Sequence, residues 1–238
     1  MALPILEYPT YEIELTSRGK TKFRPFLVKE QKMLMMAVEA KDLEASVKAI
    51  KQCIASCVLE EIDVDSLPMV DLELLFVNLR ARSMGEIMDV YYKCTNLVED
   101  KPCNMVMDVS VNLLEVKPTE IKSDGKIPLS DKIGVKMHYP SFDLLDLLIR
   151  AENNTEAEFI VIAGCIDYIY DANQVYPAKD ATPEEIQNFV TTLPTEKYEL
   201  LKNYVTSAPK VRKEIDHKCP KCHYEHKMVL EGIQDFFI

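Results

Sequence analysis

The sequence predicts an α+β fold: a mainly helical body with an N-terminal β-hairpin and a central and C-terminal β-hairpin region that carries a cluster of four cysteines. Three observations lead there. Apolar residues recur at helical spacing between 28 and 85 and again after 141. They alternate at period two near 11–26 and 105–113. Two cysteine pairs, Cys94 with Cys103 and Cys219 with Cys222, each stand just ahead of a strand-like run. The strands come in hairpin-like pairs and do not alternate with helices, which disfavours a parallel βαβ winding.

Taken in order, Tyr11, Ile13 and Leu15 alternate with Glu12, Glu14 and Thr16, a half-buried strand. Ser17-Arg-Gly19 turns the chain, and Lys20 to Phe26 returns, stopped by Pro25. A methionine-rich helix follows from Val28 to Ala40, and Asp42 N-caps a second one with Leu43, Val47, Ile50 and Ile54 on its stripe. A third fits Met69 to Met84, with Gly85 at its C-terminal end. The middle changes period: Met105, Met107, Val109, Val111 and Leu113 mark a strand, followed by shorter pieces at Ile127–Leu129 and Gly134–Tyr139. Helices are expected over Ser141–Arg150 and Thr155–Tyr170, then a loop from Asp171 to Ala181. Thr182-Pro-Glu-Glu185 forms a capping box for a helix to about Leu193, and Thr195 starts another through Val205. No linker forces a division, so the expectation is a single mixed domain over 1–238. Its parts are a hairpin at 1–26, helices at 28–85, central strands with the first cysteine pair at 86–139, helices at 141–213, and the final cysteine turn and strand at 214–238.

Composition narrows the partners. The chain has 238 residues and a net charge of −11, so phosphate-seeking roles and anionic membrane surfaces are disfavoured, and a basic or mixed protein surface is the natural counterpart. Seven cysteines do not read as a secreted disulfide framework; Cys53, Cys57 and Cys165 sit in apolar stretches and are expected to be buried, unpaired thiols. The start Met-Ala-Leu-Pro-Ile-Leu-Glu-Tyr-Pro lacks the basic region and apolar run of a signal peptide, and no stretch reaches the length of a bilayer span. A reducing cytoplasm is the expected place of folding.

The other two pairs carry the candidate chemistry. Lys218-Cys219-Pro-Lys-Cys222 has knuckle spacing, while Cys94-x8-Cys103 is loose and needs a longer loop. Tetrahedral zinc takes four thiolates when two such turns face each other, so Cys94, Cys103, Cys219 and Cys222 are the expected ligands of one structural, zinc-ribbon-like site. Four sulfurs would leave no open position for substrate. A metal-free relic and a redox Cys219-x2-Cys222 remain as alternatives, the latter requiring a strand-to-helix setting. His223 or His226 could stand in for one cysteine. No GxGxxG, phosphate loop, HExxH or GxSxG occurs, and His138 stands alone in a strand-like stretch, so catalysis is not expected. Two apolar features suit protein contact or core: the helix around Met33, Leu34, Met35 and Met36, and the ending Phe236-Phe237-Ile238.

The order of several segments is familiar. Lys22-Phe-Arg-Pro-Phe-Leu-Val-Lys-Glu30, Leu74-Leu-Phe-Val-Asn-Leu-Arg-Ala-Arg-Ser-Met-Gly-Glu86, the cysteine turns, Ile133-Gly-Val-Lys-Met-His-Tyr-Pro140 and Leu230-Glu-Gly-Ile-Gln-Asp-Phe-Phe237 together resemble the baseplate hub proteins of T-even-type contractile-tailed bacteriophages. The resemblance spans nearly the whole chain. It implies a non-enzymatic protein that binds other phage baseplate hub and tail proteins, as a hub subunit, an assembly chaperone, or an oligomer within the baseplate. It implies the host cytoplasm during assembly and the virion tail baseplate as locations. The competing class is a cytosolic zinc-ribbon adaptor or nucleic-acid-associated module, for which Lys210, Arg212, Lys213, Lys218 and Lys221 offer a basic face.

Overall fold

A computed structural model describes residues 6–121, 123–149, 151 and 153–236. The first third follows the sequence reading closely. β1 (Tyr11–Leu15) and β2 (Gly19–Phe23) pair antiparallel from Tyr11↔Phe23 to Leu15↔Gly19. Then come α1 (Val28–Ala40), α2 (Leu43–Cys57) and α3 (Met69–Met84). Glu30 reaches back to accept the Leu27 N–H at 2.8 Å, and Asp42 accepts from Glu44 and Ala45, so both helix starts satisfy donors that would otherwise be orphaned. α3 is the axle: it is buried on every face from Val70 to Val77, including two carboxylates. Asp71 accepts from the Thr16 N–H, the Thr16 hydroxyl and the Ser17 N–H at 2.7–2.9 Å, which fixes the β1–β2 turn against the helix.

The central part holds β3 (Ile87–Lys93), β4 (Leu97–Val98), β5 (Lys101–Pro102), β6 (Val106–Asn112), β7 (Lys117–Pro118), β8 (Lys126–Pro128) and β9 (Gly134–Met137). Next are α4 (Leu144–Ile149), α5 (Asn154–Gly164), β10 (Ile166–Tyr170), β11 (Val175–Pro177), α6 (Pro183–Thr191) and α7 (Thr195–Thr206). β12 (Val211–Lys218), β13 (Glu225–Glu231) and α8 (Gly232–Asp235) complete the chain. The sheets are small: β1-β2, β3-β6, β4-β5, β13-β12-β7 and β11-β10-β9-β8. The strand pairings within them are antiparallel, so the mixed helix-and-strand fold carries no doubly wound parallel sheet among the described residues.

Buried side chains form three clusters. The largest joins α1, α2 and α3 to β1–β2 and to Val111, Val211, Leu230 and Phe236. A second packs β8, β9 and β10 against Ile162 of α5, Ile186 and Val190 of α6 and Leu201 of α7. The third surrounds the cysteines and is described below.

Several expectations need correction. The helix expected over Thr155–Tyr170 ends at Gly164, and Ile166–Tyr170 is a strand. The helix closes at Gly164, a poor helix former, with Cys165 as its C-cap, and the apolar run that follows pairs with β9 as a strand. The loop expected from Asp171 to Ala181 contains β11, and the helical part expected to run to 213 gives way to β12 at Val211. Ser141–Arg150 is helical only from Leu144, and Arg150 lies outside the described residues. Leu34 is buried, whereas Met35 and Met36 are exposed. Phe236 is wholly buried, so it is core and not a peg; Phe237 and Ile238 lie outside the described residues. Among the described residues, no helix is long and apolar enough to cross a membrane.

Candidate metal centre

Two ribbons deliver the cysteines. β3 and β6 pair from Ile87↔Asn112 to Lys93↔Val106, which leaves Cys94 at the end of one strand and Cys103 just before the other. β12 and β13 pair from Arg212↔Glu231 to Lys218↔Glu225, leaving Cys219 and Cys222 in the closing turn. The backbone of the two turns is the same. Cys94 N–H donates to the Met105 carbonyl (2.8 Å) and Asn104 N–H to the Cys94 carbonyl (3.2 Å). Cys219 N–H donates to the Tyr224 carbonyl and His223 N–H to the Cys219 carbonyl, both at 2.9 Å. Asn104 and His223, each the residue after the second cysteine, are left-handed at φ 53° and 60°. Asparagine and histidine are among the side chains that tolerate this region best.

The loose spacing of the first pair is an insertion. Cys103 N–H donates to the Asn96 carbonyl at 2.8 Å, so the chain leaves at Leu97 and returns at Pro102 to nearly the same point. Without residues 97–102 the turn would read Cys94-Thr95-Asn96-Cys103, the spacing of Cys219-Pro220-Lys221-Cys222. That short hairpin hid the equivalence; the signal in the sequence was a turn-like Glu-Asp between Leu97-Val98 and Lys101-Pro102.

The four sulfurs all lie within 4.8 Å of one another. Cys94 and Cys222 are 3.6 Å apart, and Cys103 and Cys219 3.9 Å. A tetrahedral ion with sulfurs at 2.3 Å requires edges of about 3.8 Å. Four close cysteines in this arrangement could therefore bind one metal ion. Cys94, Cys103 and Cys219 are buried and Cys222 is half-buried, among Tyr92, Met105 and Met107. Polar side chains converge on the sulfurs: Asn96 Nδ2 donates to Cys222 at 3.6 Å, and His226 Nε2 lies 3.2 Å from Cys94. His226 is itself buried and held edge-on by Tyr92 and Tyr224. The Tyr224 backbone N–H, helped by the Asn96 amide, brings the Cys222 thiol down to about 6. Loss of water around Cys94 lifts its thiol to about 12. The bonds to Cys222 favour loss of its proton, and thiolate is the form that ligates metal.

His226, which the sequence offered as a stand-in ligand, contacts the Cys94 sulfur beside the four-cysteine group, a position for orienting a ligand; Asn96 had no signal in the sequence. Cys219 and Cys222 lie between two strands, not at the strand-to-helix junction a redox pair requires. Cys53, Cys57 and Cys165 are buried free thiols away from the cluster. Three side chains of the basic face are paired with carboxylates: Lys210 with Glu231 (2.8 Å), Arg212 with Glu214 (2.7 Å) and Lys213 with Glu115 (3.0 Å). Lys221 turns to the Cys103 carbonyl. His138 lies against the Tyr139 carbonyl through Nδ1 at 2.8 Å.

Comparison with known proteins finds a relative along nearly the whole chain. The chain is similar to the baseplate hub assembly protein gp26 of Enterobacteria phage T4, 26% identical over 232 residues, covering 95% of this chain and 98% of that protein. No solved structure matches it. The family described as T4 bacteriophage base plate protein matches residues 8–238, and the chain belongs to that family.

Proposed function

We propose that this protein takes part in assembling the tail baseplate hub of a contractile-tailed phage, by binding other hub and tail proteins and without turning over a substrate. The observation that carries this reading is the match to a base plate family over residues 8–238, together with similarity to a hub assembly protein along nearly the full length of both chains. The net charge of −11 and the pairing of Lys210, Arg212 and Lys213 with carboxylates support protein partners over nucleic acid. On this reading the protein works in the host cytoplasm during assembly and within the tail baseplate, as one mixed domain.

We further propose that Cys94, Cys103, Cys219 and Cys222 hold one structural zinc. Four thiolates at tetrahedral spacing suit zinc, and a closed four-sulfur shell suits a structural ion. It would tie the central ribbon to the C-terminal one.

Deletion of the gene from the phage, followed by electron microscopy of the particles, tests the role in assembly. Heads and incomplete baseplates accumulating apart are the expected result; normal infectious tails would overturn the proposal. Elemental analysis of freshly purified protein tests the metal, with one zinc per chain expected.

A further inference from the structure

We propose that the hairpin of residues 97–102 is a docking finger for another protein, one whose surface offers an apolar slot rimmed by lysine or arginine. This rests on the reading that the protein works by binding others. Three observations carry it.

First, the finger does nothing for the fold. Its two ends meet at the Cys103–Asn96 hydrogen bond, and the turn it interrupts already has a complete counterpart at Cys219–Cys222. All six of its residues are exposed. A two-stranded hairpin with no packed face has little independent stability, and burial gives no account of this one.

Second, its side chains suit contact. Leu97 is 63% and Val98 45% exposed, while Glu99 and Asp100 form the tip with both residues left-handed, at φ 49° and 58°. The outer face of the β3–β6 ribbon that bears the finger also exposes Tyr91 and Val106. Apolar side chains under an acidic tip complement an apolar recess with a basic rim. Recognition falls to side chains: Pro102 lacks an N–H, which leaves this edge poor for adding a strand.

Third, the finger springs from the turn that carries Cys94 and Cys103. A loop rooted in a rigid centre presents its tip with little conformational cost on binding.

Removing residues 97–102 tests this, because the product has a Cys94-Thr-Asn-Cys103 turn with the spacing of its counterpart. The shortened protein should keep the zinc content and melting temperature of the full chain, yet phage carrying it should yield the separated heads and incomplete baseplates of the gene deletion. Normal infectious yield from the shortened gene, alongside failure of the full deletion, would overturn the finger and leave the hub role standing. Normal yield from the full deletion would overturn the hub role itself. Should the shortened protein fail to fold, two surface variants decide: L97S/V98S, and E99K/D100K. Each should remain folded and lower infectious yield by about tenfold or more, as loss of an interface anchor does; unchanged yield from both would overturn the proposal. Sedimentation of the purified protein addresses self-contact. A change of oligomeric state in the finger variants would make the partner a second copy of this chain and overturn the assignment to another protein.

Discussion

Glu73 of α3 accepts the backbone N–H of Val211 at 2.9 Å, across 138 positions of sequence. This single bond anchors the start of β12 to the central helix. Burial pushes the Glu73 carboxyl up to about 6 from its ordinary 4.5. A carboxyl raised in the folded state holds its proton more tightly there than in the unfolded chain. Its contribution to stability is therefore full below pH 4.5 and is lost as pH climbs through 6. Charging this side chain costs the folded state about 2 kcal/mol at pH 7 and above. Replacing it in Glu73→Gln should flatten the stability profile between pH 4.5 and 7. Urea midpoints at pH 5 and pH 8 check this: parallel profiles for variant and parent would refute it.

Arg24 and Glu30 form a buried ion pair at 2.9 Å, with Arg24 also donating to the Ser56 carbonyl at 2.7 Å. Glu30→Ala strands the guanidinium and should cost about 3–5 kcal/mol. The double variant R24M/E30A should be more stable than E30A alone, because no charge is left unpaired. Denaturant titration of the three proteins decides it.

Asp71 is wholly buried and accepts three hydrogen bonds from Thr16 and Ser17. Asp71→Ala should destabilise the protein by about 1–3 kcal/mol, since it leaves donors of the β1–β2 turn unsatisfied. Hydrogen exchange at the Thr16 and Ser17 amides should accelerate more than at the centre of α5; equal acceleration at both places would argue against a local origin.

Zinc removal should loosen the link between the two ribbons. A ligand that binds only the folded state stabilises it by about 4 kcal/mol when its free concentration is a thousand times Kd. Chelation should lower the melting temperature, and added zinc should restore it. Cys219→Ser should start near the chelated value and gain little from zinc. An unchanged melting temperature on chelation would exclude a metal-dependent link.

Local chemistry made the first third of the chain legible. α1, α2 and α3 fall where expected because a reaching Glu30 at the start of the first, a cap at Asp42 on the second and Gly85 at the end of the third leave few alternatives. The four cysteines were also legible as a group, because their residue type and flanking strands pointed to one centre. The failures share a cause. Phe159 to Tyr170 is nearly continuous in apolar and aromatic residues, so its period cannot separate α5 from β10; the strand is set by its pairing with β9, distant in sequence. β12 alternates half-buried with exposed residues, but its half-buried positions include Lys213, paired with Glu115, and His217, so no apolar period marks it in the sequence. His226 and Asn96 act through sulfurs on the other ribbon, and no sequence pattern reports that.

The distance between the two cysteine turns has a consequence for how the protein is made. Cys103 and Cys219 are 116 positions apart. At ordinary translation speeds the first pair leaves the ribosome roughly 6 to 20 seconds before its counterpart. During that interval two thiols, and the ribbon that bears them, wait without the rest of their centre. A nascent chain released anywhere before Cys222 has neither the fourth sulfur nor Phe236, which fills the largest cluster from the far end. The arrangement makes assembly of the four-cysteine cluster depend on synthesis past Cys222, and closure of the largest core cluster on synthesis past Phe236.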